Sequence, residues 1–275
     1  MRIFRPEAIL LLGALWVVEG EGVCRVPDLE AQVAECTGNY RMERAGWTVE
    51  FGRFRLQGEE IAFLDALRLR GREADVRAKG GHWGAEGLTL RDTNGRWGAW
   101  EFSADTLQWR EGRVVLMGRV VCRRGDEELR GQRVEFREEG VWVEGGAQIR
   151  WKEGRISAEA LSGGGARWQI QGPLAGRWGT AEAMSFSAEA AELTEAEVRL
   201  REAYIAWSEG EARADEVRLN LQAAEIVLLG RVSGQFRGKR FQARRVVWSQ
   251  KEQALRLEGA VRVWFPRSVF QPKTD

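Results

Sequence analysis

The chain is short of the residues that carry most protein chemistry. Its 275 residues include one histidine, three cysteines, two tyrosines, four methionines and five prolines. One histidine, His82, lies in a Gly-rich stretch with Asp75 and Glu86 as its nearest acids, and these make no metal-ligand spacing. A lone histidine of this kind reads as structural or solvent-exposed. Charge of one sign is missing as well: 42 basic residues face 41 acidic ones, a formal net charge of +1. Nothing concentrates the positive field that phosphate backbones need, so nucleic acid is excluded as a partner. The Arg and Glu residues interleave, as on solvated strand faces. Ser162-Gly163-Gly164-Gly165 lacks the Lys-Ser/Thr of a phosphate loop and falls in a turn slot of the repeat described below. Asp105 and Asp215 recur at one place of that repeat, which points to a turn or bulge role rather than a catalytic carboxylate pair. No catalytic residue, metal site or cofactor is expected, and the chain does not read as an enzyme.

Long apolar runs are confined to the beginning. Arg2 and Arg5 precede eleven residues from Ala8 to Val18, with the small Gly20 and Gly22 beyond. That length suits a signal-peptide core, whereas a spanning helix needs roughly 20 residues. Residues 1–22 are therefore expected to be a signal peptide or an N-terminal anchor, placing the protein in the periplasm or retaining it at the inner membrane. Cys24 lacks the small-residue context of a lipoprotein acceptor. Three cysteines suit an exported protein with one disulfide, and Cys24 with Cys36 is the local pair that closes a short loop. Cys122 falls on an apolar strand face, as a small buried hydrophobe does.

The chain's dominant feature is a repeat. Copies start at Phe102, Leu129, Ile156, Phe186, Ala212 and Phe241, spaced 27, 27, 30, 26 and 29 residues apart. Each has an apolar residue at its start, a small one two places on, and apolar residues at the fifth and seventh places, as in Phe102, Ala104, Leu107 and Trp109. A turn leads to a second segment that alternates with period two, the pattern of a strand with one buried face. Its mid-strand positions are Gly118, Gly145, Gly172, Glu202, Gly230 and Gly259. Second-strand residues expected on the apolar face include Val114, Leu116, Val120, Val141, Val143, Ile149, Ile170, Leu174, Leu200, Tyr204, Ile226, Leu228, Val232, Leu257 and Val261. In the first strand the apolar set changes parity between the second and fifth places. A bulge or bend in mid-strand restores one common face, and the recurring Ala or Gly suits a crowded bend.

Residues 24–100 read as degenerate β repeats or a cap at the N-terminal end of the same structure, with a separate small β domain as the alternative. A degenerate copy starts at Val76, with Ala78 at the small position and Trp83 at the seventh place. A helix is expected around Pro27 to Glu35. Residues 101–265 hold the six repeats, and residues 266–275 form a polar tail after Pro266. Thirteen tryptophans are the one compositional surplus. Most are read as core or strand-end packing.

Strand openings such as Phe102-Ser-Ala-Asp-Thr-Leu and Ala212-Arg-Ala-Asp-Glu-Val resemble those of the OstA-like family of lipopolysaccharide-transport proteins, LptA and LptC. So do the following strands Val114-Val-Leu-Met-Gly-Arg-Val and Ile226-Val-Leu-Leu-Gly-Arg-Val. The resemblance spans about Phe102 to Phe265. It implies an all-β protein, an elongated antiparallel β-jellyroll of two-strand units, whose apolar trough shields lipid acyl chains crossing the periplasm. It also implies partners: a lipopolysaccharide-like or other envelope glycolipid, other β-jellyroll transport proteins joined end to end by strand pairing, and an outer-membrane β-barrel or inner-membrane transporter. The apolar second-strand residues would then line the trough. The competing reading is a structural β-solenoid of the cell envelope whose apolar wall is a filled core without lipid.

Overall fold

The computed structural model describes residues 9–10, 17–28 and 33–265, apart from 45, 111, 153, 165–166, 180–183, 224, 250 and 253. The expected polar tail and most of the expected leader lie outside the described residues. The architecture is all-β and antiparallel, of the β-jellyroll kind, and no described residue is helical. Two compact units divide it, Met1–Arg137 and Glu138–Asp275.

The first unit contains β1 (Ile9–Leu10), β2 (Val17–Asp28), β3 (Val33–Arg44), β4 (Trp47–Gln57), β5 (Glu60–Phe63), β6 (Leu67–Arg70), β7 (Ala74–Ala78), β8 (Gly80–Gly84), β9 (Gly87–Trp97), β10 (Trp100–Arg110), β11 (Arg113–Arg124) and β12 (Glu127–Arg137). The second contains β13 (Gly140–Trp151), β14 (Gly154–Gly164), β15 (Arg167–Trp178), β16 (Met184–Thr194), β17 (Glu197–Trp207), β18 (Gly210–Asn220), β19 (Glu225–Phe236), β20 (Lys239–Ser249), β21 (Ala254–Glu258) and β22 (Arg262–Trp264). In the first unit β2 to β4 and β9 to β12 run as meanders, and between them β4 pairs with both β5 and β6, which continue into β8 and β7 against β9; in the second unit β13 to β20 form one meander, with β21 and β22 both on β20. Short hairpins make this topology accessible; between β19 and β20 the loop is Arg237-Gly238, both at positive φ, the conformation that two-residue hairpins require.

The expected mid-strand bulge is present. In β10 the buried residues run Trp100, Phe102 and Ala104, then switch to Leu107, and pairing with β11 breaks between Ser103 and Thr106. On β11 the extra residue is accommodated at Gly118, whose φ of +93° puts it in the region glycine favours. Val114, Leu116, Val120 and Cys122 consequently stay on one face. The polar side of the bulge is clamped by Asp105, which accepts from the Arg119 backbone N–H at 3.1 Å and from the Arg119 guanidinium at 3.0 Å. Asp215 repeats the clamp on Arg231, beside Gly230 at φ +91°. A third version joins Asp65 to the Arg53 backbone N–H at 3.0 Å.

These hydrogen bonds hold both Asp105 and Asp215 below the usual carboxylate range: for Asp105 chiefly the Arg119 side chain, for Asp215 chiefly the Arg231 backbone N–H. A carboxyl whose pKa is lower in the folded state stabilises that state above its unfolded pKa, and the contribution disappears as pH falls through the folded value. Resistance to urea should therefore decline as the pH drops below about 4. Asp105→Asn together with Asp215→Asn should lower the urea midpoint at neutral pH and flatten the acid limb; an unchanged acid limb would show that the clamps contribute nothing.

Because the bulges keep the buried residues of both halves of a strand on one side, the two halves contribute to one interior. In the second unit, ladders of inward residues run across the strands. One is Val143, Leu161, Ile170, Ala191, Leu200, Val217, Leu228, Val246 and Leu257, each opposite the next in register. On the other side of the bend lies a ladder of small residues, Ala147, Ala158, Ala188, Ala203, Ala214 and Ala243, with Leu174 and Val232 among them. At the bend a large side chain faces a small one: Leu174 pairs with Ala188 and Val232 with Ala243.

The strands double over at this bend. In β17, Trp207 lies nine residues from Val198, about 30 Å along a straight strand. Val198 belongs, through Leu219 and Ile226, to the same ladder as Trp248. Yet the rings of Trp207 and Trp248 are 6.0 Å apart, so the two ends of the folded strands meet. In the first unit Trp47, stacked at 5.2 Å on Trp97 of the same rim, touches Trp109 of the opposite end at 4.4 Å.

Several details differ from the sequence expectations. Pro27 and Asp28 belong to β2 and Val33 to Glu35 belong to β3, so no helix starts there. Long-range pairing of β3 with β4 outweighs local helix propensity. Within β2 the part of the expected leader from Val17 to Gly22 pairs with Gly38 to Glu43. Cys24 and Cys36 are directly opposite in β2 and β3 and joined by a disulfide, with Cα atoms 4.1 Å apart. The copy starting at Val76 is split into β7 and β8, with Val76 and Ala78 buried and Trp83 opposite Leu88. Ser162, Gly163 and Gly164 lie in β14 rather than in a turn, and the connection to β15 at 165–166 is outside the described residues.

Tyr204 is on the outer face, where its hydroxyl donates to Glu211 at 2.5 Å. Here β17 has Glu202 alone where β11 has Gly118 and Arg119, and losing one bulge residue reverses the facing of everything beyond it. Ala203 and Ile205 point inward instead. Val261 is 45% exposed, between β21 and β22, because no described strand covers that side of the sheet.

Candidate functional site

The candidate site is the doubled-over interior. Of the expected lining residues, Val114, Leu116 and Val120 are buried in the first unit. Val141, Val143, Ile149, Ile170, Leu174, Leu200, Ile226, Leu228 and Val232 are buried in the second, and none of the twelve is more than 4% exposed. Leu257 is half-buried at the last strand. Tyr204 and Val261 do not join them. Among the described residues only two buried side chains are polar, Thr93 and Glu135. Thr93 donates its hydroxyl to the Ala104 carbonyl at 3.1 Å, and Glu135 is on the outer face beneath Arg133 and Arg137. Among the described residues the interior carries no charge, and its hydroxyls are those of Thr93 and of Tyr40, which lies 3.7 Å from Cys24 Sγ.

The opposite surface is wet. Cross-strand and same-strand ion pairs such as Arg124 with Glu127, Arg123 and Arg130 with Glu128, and Arg245 with Glu258 cover it. Exposed pairs of this kind add little stability. Their role here is to keep one face of each strand soluble while the other is apolar.

Reactive groups are few. His82 is exposed and 3.3 Å from Glu60. No group of three or more metal-binding side chains occurs among the described residues. Cys122 is fully buried, and burial pushes its thiol up to about 12, so it is inert at neutral pH.

Tryptophans mark the two rims where the folded halves meet, and sequence grouping by strand face does not bring this out. Along one rim of the second unit, register runs Trp151, Gly154, Trp178, Met184, Trp207, Gly210 and Phe236. The glycines make room: a Cβ on Gly154 would lie 2.8 Å from the Trp151 ring, and one on Gly210 3.0 Å from Trp207. Trp168 and Trp248 stand in the ladder of the opposite rim, and Gly163 leaves space for Trp168. The signal was in the sequence. Trp151, Trp178, Trp207, Phe236 and Phe265 close successive second strands at spacings of 27, 29, 29 and 29 residues.

The last strands are an open edge. Val263, Trp264 and Phe265 are 37%, 47% and 48% exposed, and β21 and β22 each pair with β20 alone among the described residues.

No family model matches this chain, and no curated protein matches it. Among solved structures, it is similar to the crystal structure of LptH, the LptA homologous periplasmic component of the lipopolysaccharide transport device of Pseudomonas aeruginosa. The likeness has 12% identity, 61% of this chain, 94% of that chain and a TM-score of 0.21. That is too slight to carry an activity across.

Proposed function

We infer that the protein is a periplasmic lipid-binding and transfer protein of the cell envelope, holding acyl chains between the two halves of its folded sheet. The observation that carries this reading is the chemistry of the interior: ladders of aliphatic side chains without a charged group, closed at the rims by aromatic contacts. Burying an acyl chain there gains about 25 cal/mol per Å² of apolar surface. The motif resemblance to the OstA-like family supports the same reading and adds the partner class, since the exposed edge strand β22, Arg262 to Trp264, offers backbone groups for a strand of another jellyroll protein. An outer-membrane β-barrel or inner-membrane transporter would stand at either end of such a chain of proteins.

A second reading is favoured by the burial itself. Leu116, Val143, Leu200 and Leu228 are 0% exposed, so the interior is filled by the protein's own side chains when the rims are closed. A structural envelope protein with a packed core would look the same. Solvent extraction of the protein purified from its own envelope, followed by mass spectrometry, separates the two. Lipid shielding predicts stoichiometric envelope lipid; consistently empty protein would support the structural reading.

A further inference from the structure

The rims of the second unit hold a feature that neither packing nor solubility explains. The indole Nε1 atoms of Trp151, Trp178, Trp207 and Trp248 are buried and have no hydrogen-bond partner. Trp178, Trp207 and Trp248 are each more than nine-tenths buried. A buried donor without an acceptor is destabilising, and native proteins rarely leave several together. Phenylalanine, already present in the row at Phe236, would give the same apolar surface without the unpaired group.

The four donors share one environment. Trp151, Trp178 and Trp207 end alternate strands of one rim, so they stand about 10 Å apart along it. Trp248 faces Trp207 across the seam at 6.0 Å. An indole N–H donates and cannot accept, so the group that satisfies it must be an acceptor. It must also sit between an apolar body, in contact with the ladders, and a polar part outside the seam. The ester carbonyl of an acyl lipid has that position, between hydrocarbon chain and head group, and tryptophan suits such a boundary because one end is apolar and the other polar.

We propose that the tryptophan rim of the second unit is a binding site for acyl-ester carbonyls, with the Nε1–H groups of Trp178, Trp207 and Trp248 as donors to a lipid whose chains lie along the interior. This rests on the lipid-shielding reading and extends it from the chains to the linkage. The ligand parts Trp207 from Trp248 as it enters, and the hydrogen bonds it supplies replace the ring contact it breaks.

The test compares dihexanoylphosphatidylcholine with its dihexyl ether analogue, which keeps the chains and head group but lacks carbonyls. Both are titrated as monomers into the full chain by calorimetry. The ester is expected to bind at least about fivefold more tightly, the effect of one net hydrogen bond. Trp207→Phe with Trp248→Phe should reduce the ester-over-ether ratio, whatever the change in affinity common to the two lipids. In wild-type protein with indole-15N tryptophan, the ester and not the ether should shift Nε1–H resonances downfield, a reading that does not depend on any variant folding. Equal binding of both lipids without such shifts would overturn the proposal and leave lipid shielding standing. Binding of neither would overturn both.

Discussion

Replacing Leu200 by aspartate should remove most or all of the folding stability of the second unit. Leu200 is fully buried, opposite Ala191 on β16 and Val217 on β18, in the ladder that runs through Val143 and Leu228. Leu200→Ala alone should cost about 2–5 kcal/mol, from lost apolar transfer and the cavity left behind. The aspartate adds an unpaired charge where no polar group is within the ladder to receive it, bringing the cost to about 5 kcal/mol or more, against a typical total of about 5–15 kcal/mol. One residue further on, Arg201 is exposed on the outer face. Arg201→Ser should change stability by no more than about 0.5 kcal/mol. Urea denaturation of the two variants reads the alternation directly, and comparable losses at 200 and 201 would contradict it.

The second large effect concerns the bend. Leu174 and Ala188 face each other in the ladder of small residues, where the two halves of each strand converge. Ala188→Leu puts two leucines where there is room for one and should cost about 1–3 kcal/mol through strain. Leu174→Ala leaves a cavity and should cost about 2–5 kcal/mol. Combined, the two substitutions exchange large for small and conserve volume, so the double variant should be more stable than the sum of the singles by about 1 kcal/mol or more. Additivity in urea melts would mean that the side chains do not share one space.

Much of this was legible in the chain. The parity change from Phe102 and Ala104 to Leu107 and Trp109 specified the bulge, because a regular strand cannot keep those four residues on one face. The alanine or glycine two places into each copy marks the crowded line of the bend, and the recurring Asp105 and Asp215 mark its polar side. Periodicity misleads where the repeat loses a residue. Nothing in Val198 to Trp207 announces that Glu202 stands alone in place of a two-residue bulge, and alternation alone puts Tyr204 inward. Val261 has the right parity, but its exposure follows from being at an edge, which periodicity does not encode.

The rims were harder to see for a different reason. A tryptophan at a strand end reads by itself as ordinary packing. Its meaning came from doubling over, which brings Trp207 of one strand end against Trp248 of the opposite end. Their period, 27 to 29 residues from Trp151 to Phe236, is visible once the copies are aligned on their last residue instead of their first. The closed interior also lay beyond sequence, because Val, Leu and Ala along one face serve an open trough and a packed core alike.

The claim that lipid occupies the interior is tested most directly by photocrosslinking in intact envelopes. A photoreactive side chain at Leu228, which points inward, should form adducts with acyl lipid, while the same group at Arg231, three residues away on the polar side of the bulge, should not. Lipid adducts from both positions, or from neither, would contradict the account.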